Sequence, residues 1–228
     1  AASRLEKPVL WVGSAGLAEH VPSVLGVGAA PAGRSPILVI AGSVSGVTRN
    51  QVALLSQRSD VVFVEADPCS FLEPAAAQAE TERCCRIAVE AIRSGKDIVI
   101  VSGYRDELVA RTIETGRSSG LSGRQTSEAV AAALGGLCSR IASGARPGGL
   151  VLTGGDIARS CCSRLSADGI SVTREVVPGI PMGVLKGGPF SGLNVVTKAG
   201  AFGAQDALCR AVDSLKMAQR VVEKAPAS

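Results

Sequence analysis

Short apolar runs alternate with longer, helix-like segments through the middle of the chain. The runs are rich in Val, Ile and Leu, a pattern typical of strands buried in a parallel sheet. Strands are predicted at 36–41 (PILVIA), 61–66 (VVFVEA), 97–102 (DIVIVS) and 150–152 (LVL), and helices up to about residue 57, at 74–94 and at 126–142. The alternation over residues 36–168 predicts an α/β domain with a mainly parallel sheet in three layers.

The C-terminal part is predicted to be richer in strands. Residues Ile170–Val177 alternate between apolar and polar side chains, as expected of a half-buried strand. A rigid turn is predicted at Pro178–Gly183, a brief strand at Val184–Leu185 and a further strand at Gly192–Thr197. A final helix is predicted from about Ala204 to Val222.

Two segments depart from this alternation. Residues 103–123 form the longest irregular stretch, in which only Asp106–Thr112 is predicted to be helical and the Gly- and Ser-rich remainder is predicted to be mobile. Residues 26–35 have the composition of a linker. We therefore divide the chain into an N-terminal piece at 1–25, a linker at 26–35 and a main domain at 36–228.

Composition excludes several classes of function. Of the 228 residues, 46% are hydrophobic and 19% charged, so the chain can bury a sizeable core. Aromatic residues make up only 3%, and the net charge of +4 comes from scattered Lys and Arg, so no nucleic-acid partner is expected. No apolar run reaches the roughly 18 residues of a membrane-spanning helix, so no membrane partner is expected either.

The seven cysteines do not form a metal-binding pattern. Their number is odd, no CxxC pair occurs and the only histidine is His20, so no metal site is predicted from them. Free thiols in a reducing cytoplasm are the simplest interpretation. A weaker hypothesis is a cysteine-based redox protein, suggested by the adjacent pairs Cys84-Cys85 and Cys161-Cys162.

Three glycine-rich turns follow predicted strands, at Gly42–Ser45, Thr153–Asp156 and Lys198–Gly203. In an open parallel sheet such turns gather at the carboxyl edge, where ligands bind. Glycines let the backbone approach a bulky anion, and the N–H groups of a helix start favour phosphate. Asp156 is placed to cap such a helix, and Lys198 adds a positive charge. The turns therefore predict phosphate binding, although ordinary turn formation and capping explain the same residues.

The common signatures of catalysis are missing. No Walker A motif (GxxxxGK[ST]) occurs, so ATP binding would need another loop arrangement. A single histidine leaves no Ser-His-Asp triad, and no pair of carboxylates forms a convincing motif. We identify no catalytic base in the sequence.

Five blocks, in order along the chain, resemble the four-carbon acid sugar kinase family. They are VLWVGSAGLA (9–18), ILVIAGSVSGVT (37–48), VLTGGDIA (151–158), EVVPGIPMGVLKGG (175–188) and GLNVVTKAGAFG (192–203). Members of that family phosphorylate sugar acids such as threonate, erythronate and 3-oxo-tetronate with ATP. The resemblance implies that residues 1–25 are the tail of a sugar-acid-binding domain and that residues from 36 onward are the nucleotide-binding domain.

The resemblance also implies cofactors, partners and site residues. The cofactors would be ATP and Mg²⁺. The partners would be ATP, a four-carbon sugar acid and the rest of the N-terminal sugar-binding domain, in cis or in trans, with a homodimer as a possible assembly. The resemblance implies nucleotide contacts by Ser43 or Ser45, by Thr153, Gly154, Gly155 and Asp156, and by Gly200. The turn after the last predicted strand adds Lys198 and Ala199 as candidates.

The sequence leaves two functions open. The first is the ATP-binding part of a sugar-acid kinase, and the second is a non-catalytic ligand-binding or regulatory module with the same fold. Two departures from the family pattern motivate the second: Ile157 stands where many members have Thr, and Ala201 stands where Gly is usual. If position 201 requires a positive φ, an alanine there would strain the backbone, because only glycine adopts that conformation readily.

Overall fold

The computed structural model describes residues 35–42 and 45–223. Within these residues the elements are β1 (Ile37–Ala41), α1 (Gly46–Leu55), β2 (Val61–Ala66), a 3₁₀ turn (Ser70–Leu72), α2 (Pro74–Arg93), β3 (Asp97–Ser102), α3 (Asp106–Ser118), α4 (Gly123–Ala145), β4 (Gly149–Thr153), α5 (Gly155–Arg164), β5 (Gly169–Val177), β6 (Ile180–Lys186), β7 (Asn194–Lys198) and α6 (Ala207–Glu223). Ser43, almost all of the linker and the N-terminal piece at 1–25, which contains His20, lie outside the described residues.

All seven of these strands form one sheet in the order β2-β3-β1-β4-β7-β6-β5. The first five strands in that order pair in parallel, whereas β6 pairs antiparallel with both β7 and β5. The predicted fold class, an α/β domain with a mainly parallel sheet and a β-richer C-terminal part, is therefore confirmed.

The sheet separates two apolar cores, as a three-layer arrangement requires. Alternate residues of β1 point to opposite faces: Leu38 and Ile40 join the core under α2, α4 and α5, whereas Ile37 and Val39 join the core under α1 and α6. All are fully buried, because a parallel strand covered on both faces has no solvent side. Within the described residues, no helix has the length and apolar character needed to span a membrane.

The helices that follow β1 and β4 lie on opposite faces of the sheet. These two strands are neighbours, with Ala41 opposite Thr153 in the register. Because α1 and α5 leave in opposite directions, a crevice opens between the carboxyl ends of β1 and β4. Ligands of open α/β sheets bind at such a topological switch point.

Two predictions about irregular segments are wrong. The turn predicted at Pro178–Gly183 consists only of Pro178 and Gly179, because β6 begins at Ile180. Pro181 therefore lies in a strand, where a register shift in the facing part of β5 accommodates it. The stretch predicted to be mobile belongs largely to α3, which continues to Ser118. The sequence hides this helix because its buried face includes Gly116, where a Cβ would lie 2.1 Å from Thr126 Oγ1.

Candidate functional site

The three glycine-rich turns start side by side at the carboxyl edge of the sheet. The Gly42 N–H donates to the Thr153 carbonyl at 3.4 Å, and the Gly154 N–H donates to the Lys198 carbonyl at 2.9 Å. Gly42, Gly154 and Gly200, one residue from each turn, line the same cavity of about 410 Å³. The predicted convergence of the turns is therefore confirmed at the level of geometry.

The turn between β4 and α5 exposes the start of a helix to this cavity. Gly154 has φ 106° and ψ 132°, a conformation that a residue with a Cβ rarely adopts. No side chain caps the helix, and a Cβ at Gly155 would meet no atom within 4 Å. The N–H groups of the first turn of α5 therefore face open space, where the positive end of the helix dipole favours an anion.

Asp156 does not cap α5, contrary to the sequence prediction. The positive φ of Gly154 turns the chain so sharply that the helix begins at Gly155, which places Asp156 inside the first turn. Its side chain is 60% exposed and pairs with Arg159. Asp156 is also the only acidic residue that lines the cavity, as far as the described residues go.

The loop between β7 and α6 is held by side chains that donate to its carbonyl groups. The Lys198 Nζ donates to the carbonyls of Ala199, Gly200 and Phe202 at 2.8, 2.9 and 3.0 Å. The Gln51 Nε2 on α1 lies 3.1, 3.1 and 2.9 Å from the carbonyl oxygens of Phe202, Gly203 and Ala204, so the Phe202 carbonyl is within reach of both side chains. The loop is thus anchored from below by two buried side chains.

Lys198 lies beneath this loop and does not line the 410 Å³ cavity. The residue is 3% exposed, and burial lowers the pKa of its ammonium to about 8. An ammonium has three N–H donors, and here three carbonyls occupy them. A direct contact between Lys198 and a phosphate, as the sequence predicts, would require the ammonium to leave one of these carbonyls.

The other predicted site residues take different places. Ser45 accepts the Thr48 N–H at 3.2 Å as the cap of α1, and its Oγ lies 3.0 Å from the Gly200 carbonyl oxygen. Thr153 is fully buried, and its Oγ1 has no hydrogen-bond partner among the described residues. Ala199 lines a second, more open cavity of about 560 Å³ on the other side of the β4–α5 turn.

An apolar wall opposite the glycine turns was not predicted. It belongs to α3 and α4, and its apolar members are Val109, Ile113, Val130 and Ala131. Ile113 is 56% exposed, which is unusual for a large aliphatic side chain of this domain. The spacing of Val109 and Ile113 by four residues is the only sequence signal for this wall, and it falls in the segment predicted to be mostly irregular.

The two departures from the family pattern do not block the cavity. Ile157 is only 4% exposed and packs beneath Gly42 in the core under α5. Ala201 has no strained backbone, because Arg146 and Ser166 are the non-glycine residues with positive φ in the described part of the chain. Neither residue therefore distorts the backbone of the glycine-rich turn beside it.

The contact between Gly42 and Ile157 gives a stability prediction. A Cβ at Gly42 would lie 2.4 Å from Ile157 Cδ1, so Gly42→Ala is expected to lower the free energy of unfolding by about 1–2 kcal/mol. Adding Ile157→Val, which removes Cδ1, should recover part of that loss. Urea unfolding of both variants measures the effect, and a Gly42→Ala protein as stable as the parent would contradict it.

The adjacent cysteine pairs are unsuited to redox chemistry. All seven cysteines are free. Burial raises the pKa of Cys84 to about 12, and burial also raises the pKa values of Cys85 and Cys162. The thiolate is the reactive form, and these surroundings disfavour it. Within the described residues no cluster of His, Cys, Asp and Glu could hold a metal ion by itself.

Comparison with known proteins identifies relatives over most of the chain. A family model described as a nucleotide-binding C-terminal domain matches residues 38–208. A D-threonate kinase from Salmonella typhimurium is 35% identical over 205 residues, which cover 89% of this chain and 47% of that protein. A D-threonate kinase from Bordetella bronchiseptica is 36% identical over 208 residues, 90% of this chain and 46% of that protein. The chain thus spans about half the length of the curated relatives it matches.

A solved structure has the same fold. It is a domain of unknown function from Bordetella bronchiseptica, crystallised with bound citrate as a domain-swapped dimer. It matches with a TM-score of 0.64 and 32% identity, over 80% of this chain and 41% of that chain. Together with the kinases, it confirms the resemblance to the C-terminal part of the four-carbon acid sugar kinases.

Proposed function

Because this chain belongs to the family of nucleotide-binding C-terminal domains, we propose that it is the ATP-binding part of a kinase for a four-carbon sugar acid. The observation that carries the proposal is the 410 Å³ cavity, which combines an uncapped helix start with an apolar wall. An adenine nucleotide presents the matching pair of surfaces, an anionic phosphate chain and a flat, largely apolar base. The names of the D-threonate kinases support a sugar acid as the acceptor.

The phosphates would lie against the first turn of α5. Gly154 and Gly155 carry no side chain that could keep an anion away, and the N–H groups there lack side-chain caps. Gly200, from the loop after β7, faces the same space. The base would pack against Val109 and Ile113 on the opposite wall, which buries part of the exposed surface of Ile113.

Mg²⁺ fits this cavity only together with the phosphates. Asp156 is its one acidic lining residue among those described, and Mg²⁺ typically takes one or two carboxylates plus phosphate oxygens and water. When bound, the ion would neutralise phosphate charge. Asp156 could supply one ligand after releasing Arg159, and no other described lining residue has a carboxylate to offer.

Phosphoryl transfer depends mostly on positioning and on neutralising charge. In the proposed reaction, an acceptor hydroxyl of the sugar acid displaces ADP from the γ-phosphorus and loses its proton to a base. The described lining residues contain no convincing base, so the acceptor and the base would both come from the sugar-acid-binding domain. This chain alone should therefore bind nucleotide and turn it over poorly.

Calorimetric titration tests the nucleotide-binding part of the proposal. We expect saturable binding of ATP in the presence of Mg²⁺, with a dissociation constant below about 1 mM, and weaker binding of adenosine because it lacks the phosphates. A parallel titration with GTP, which differs from ATP in the base, measures how far the affinity depends on the base. Absence of any heat of binding up to millimolar ATP would overturn the proposal.

The alternative hypothesis, a non-catalytic regulatory module of the same fold, predicts binding without transfer. Mixing this chain with a sugar-acid-binding domain, ATP and D-threonate separates the two, because only a kinase forms a phosphorylated acid. Product that appears with the parent chain and is lost with Asp156→Ala would reject the regulatory hypothesis. Bound nucleotide without product, in the presence of a folded partner domain, would favour it.

A further inference from the structure

The loop between β7 and α6 turns nearly all of its carbonyl groups inwards. Those of Ala199, Gly200 and Phe202 accept from Lys198, and those of Phe202, Gly203 and Ala204 lie within reach of Gln51. The Gly200 carbonyl also accepts from the Thr48 hydroxyl. Within residues 199–204, only the carbonyl of residue 201 lacks such a donor among the described residues.

This arrangement fixes the direction of the N–H groups in the loop. In a trans peptide the N–H of one residue points away from the carbonyl of the residue before it, and no cis peptide occurs in the described part of the chain. The N–H groups of Gly200 and Ala201 therefore point away from the Lys198 ammonium. Neither meets an acceptor among the described residues, and Gly200 lines the 410 Å³ cavity.

We propose that Lys198 is a positioning residue for the phosphate chain, which acts through the loop by holding its carbonyls inwards and its N–H groups towards the ligand. The proposal rests on the proposed nucleotide-binding function and adds to it a second phosphate cradle, opposite the start of α5. A row of backbone N–H groups held in this way forms an anion-binding nest. Lys198 contributes to binding without touching the ligand.

Deprotonation of Lys198 would loosen the cradle. A neutral amine keeps two N–H donors and gains a lone pair, so one of the three carbonyls would lose its donor and face the lone pair. Burial places the pKa of this ammonium at about 8, within reach of ordinary buffers. Bound phosphate favours the charged form and so raises that pKa, and by linkage the affinity for ATP must fall as the pH rises above 8.

Few other groups around Lys198 can titrate in this range. The loop and α1 face it with carbonyls, the Thr48 hydroxyl and the Gln51 amide, all neutral. β4 contributes the neutral Thr153 beside it, whereas Arg159 and Cys162, which line the second cavity with Lys198, belong to α5 on the opposite face of the sheet from its side chain. Arg159 stays charged throughout, and burial raises the pKa of Cys162 above its usual value. The change above pH 8 is therefore assigned to Lys198.

The binding experiment measures ATP affinity from pH 7 to 9.5 and inorganic tripolyphosphate affinity at pH 7 only, because free tripolyphosphate loses its own last proton within that range. For the parent chain we expect the affinity for ATP to fall about tenfold over this range, while adenosine binding stays constant. Lys198→Met should bind ATP and tripolyphosphate about tenfold more weakly at pH 7 and show a flat pH profile for ATP. Gln51→Leu loosens the same loop without a titrating group and should keep the slope. Lys186→Met, at the exposed end of β6, should match the parent chain.

A ligand-free measurement separates this inference from the proposed function. The backbone carbonyl carbon resonances of Ala199 and Gly200, which accept from Lys198, should shift with a midpoint near pH 8 in the parent chain and not in Lys198→Met. Carbonyl resonances that do not move between pH 7 and 9.5 would overturn the role of Lys198, whether or not ATP binds. A normal carbonyl titration with no binding of ATP or tripolyphosphate would overturn the phosphate cradle and the proposed function together.

Discussion

Replacing Gly155 with alanine is expected to weaken ATP binding about a hundredfold while leaving the protein at least as stable. The added methyl group would meet no protein atom within 4 Å, because it would project into the open space in front of α5. A phosphate held there would lose one or two charge-assisted hydrogen bonds to the first turn, each worth about 1.5–3 kcal/mol. Alanine in a helix is favoured over glycine by about 0.5–1 kcal/mol, so the fold should not suffer.

Gly136→Ala is the matched control for this substitution. Gly136 also lies in a helix, α4, and a Cβ there would likewise meet no atom within 4 Å, but the residue does not line the cavity. Calorimetry should show unchanged ATP affinity for Gly136→Ala, and urea unfolding should show that neither variant is destabilised. Parent-like affinity in a folded Gly155→Ala protein would mean that phosphate does not approach the first turn of α5.

The convergence of the turns was predictable because it follows from strand order rather than from side-chain detail. Apolar runs identified β1, β2 and β3 to within one residue, and a parallel sheet brings the carboxyl ends of its strands to one edge. The positions of Gly42, Gly154 and Gly200 at that edge then required no further information. Backbone sites of this kind are the part of a binding site that sequence patterns reveal most directly.

Side-chain direction was not predictable in the same way. Lys198 was expected to face a ligand because it stands at a strand end, but strand alternation places it on the same face as Val196, under α1. There it finds three carbonyls whose positions depend on the loop and on Gln51, a contact across 151 or more residues. The apolar wall from α3 was missed because Thr112 and Gly116 interrupt its helical pattern.

The largest loss of stability is expected from Lys216→Met, at the edge of the sheet opposite the candidate site. The Lys216 Nζ lies 2.6 Å from Asp97 Oδ2 and 3.1 Å from Asp60 Oδ2. Asp97 is 1% exposed, and its other oxygen accepts the Ile37 N–H at 2.8 Å. Removing the ammonium leaves a buried carboxylate without its counter-charge, which should lower the free energy of unfolding at pH 8 by about 3–5 kcal/mol.

The pH dependence of that loss identifies Asp97 as its cause. Burial raises the pKa of Asp97 even beside Lys216, and without the ammonium it should rise further. A folded state that holds a proton more tightly than the unfolded chain loses stability as the pH rises. The free energy of unfolding of Lys216→Met should therefore increase as the pH is lowered from 8 to 5. Lys216→Met/Asp97→Asn keeps an oxygen for Ile37 and should be both more stable at pH 8 and nearly independent of pH.

An exposed ion pair supplies the control for this experiment. Arg124 pairs with Glu128 on the surface of α4, and its side chain is 86% exposed. Arg124→Met should therefore leave the free energy of unfolding nearly unchanged at any pH from 5 to 8. If urea unfolding gave Lys216→Met a similarly small and pH-independent change, Asp97 would not need its counter-charge, because water would reach the carboxylate in place of Lys216.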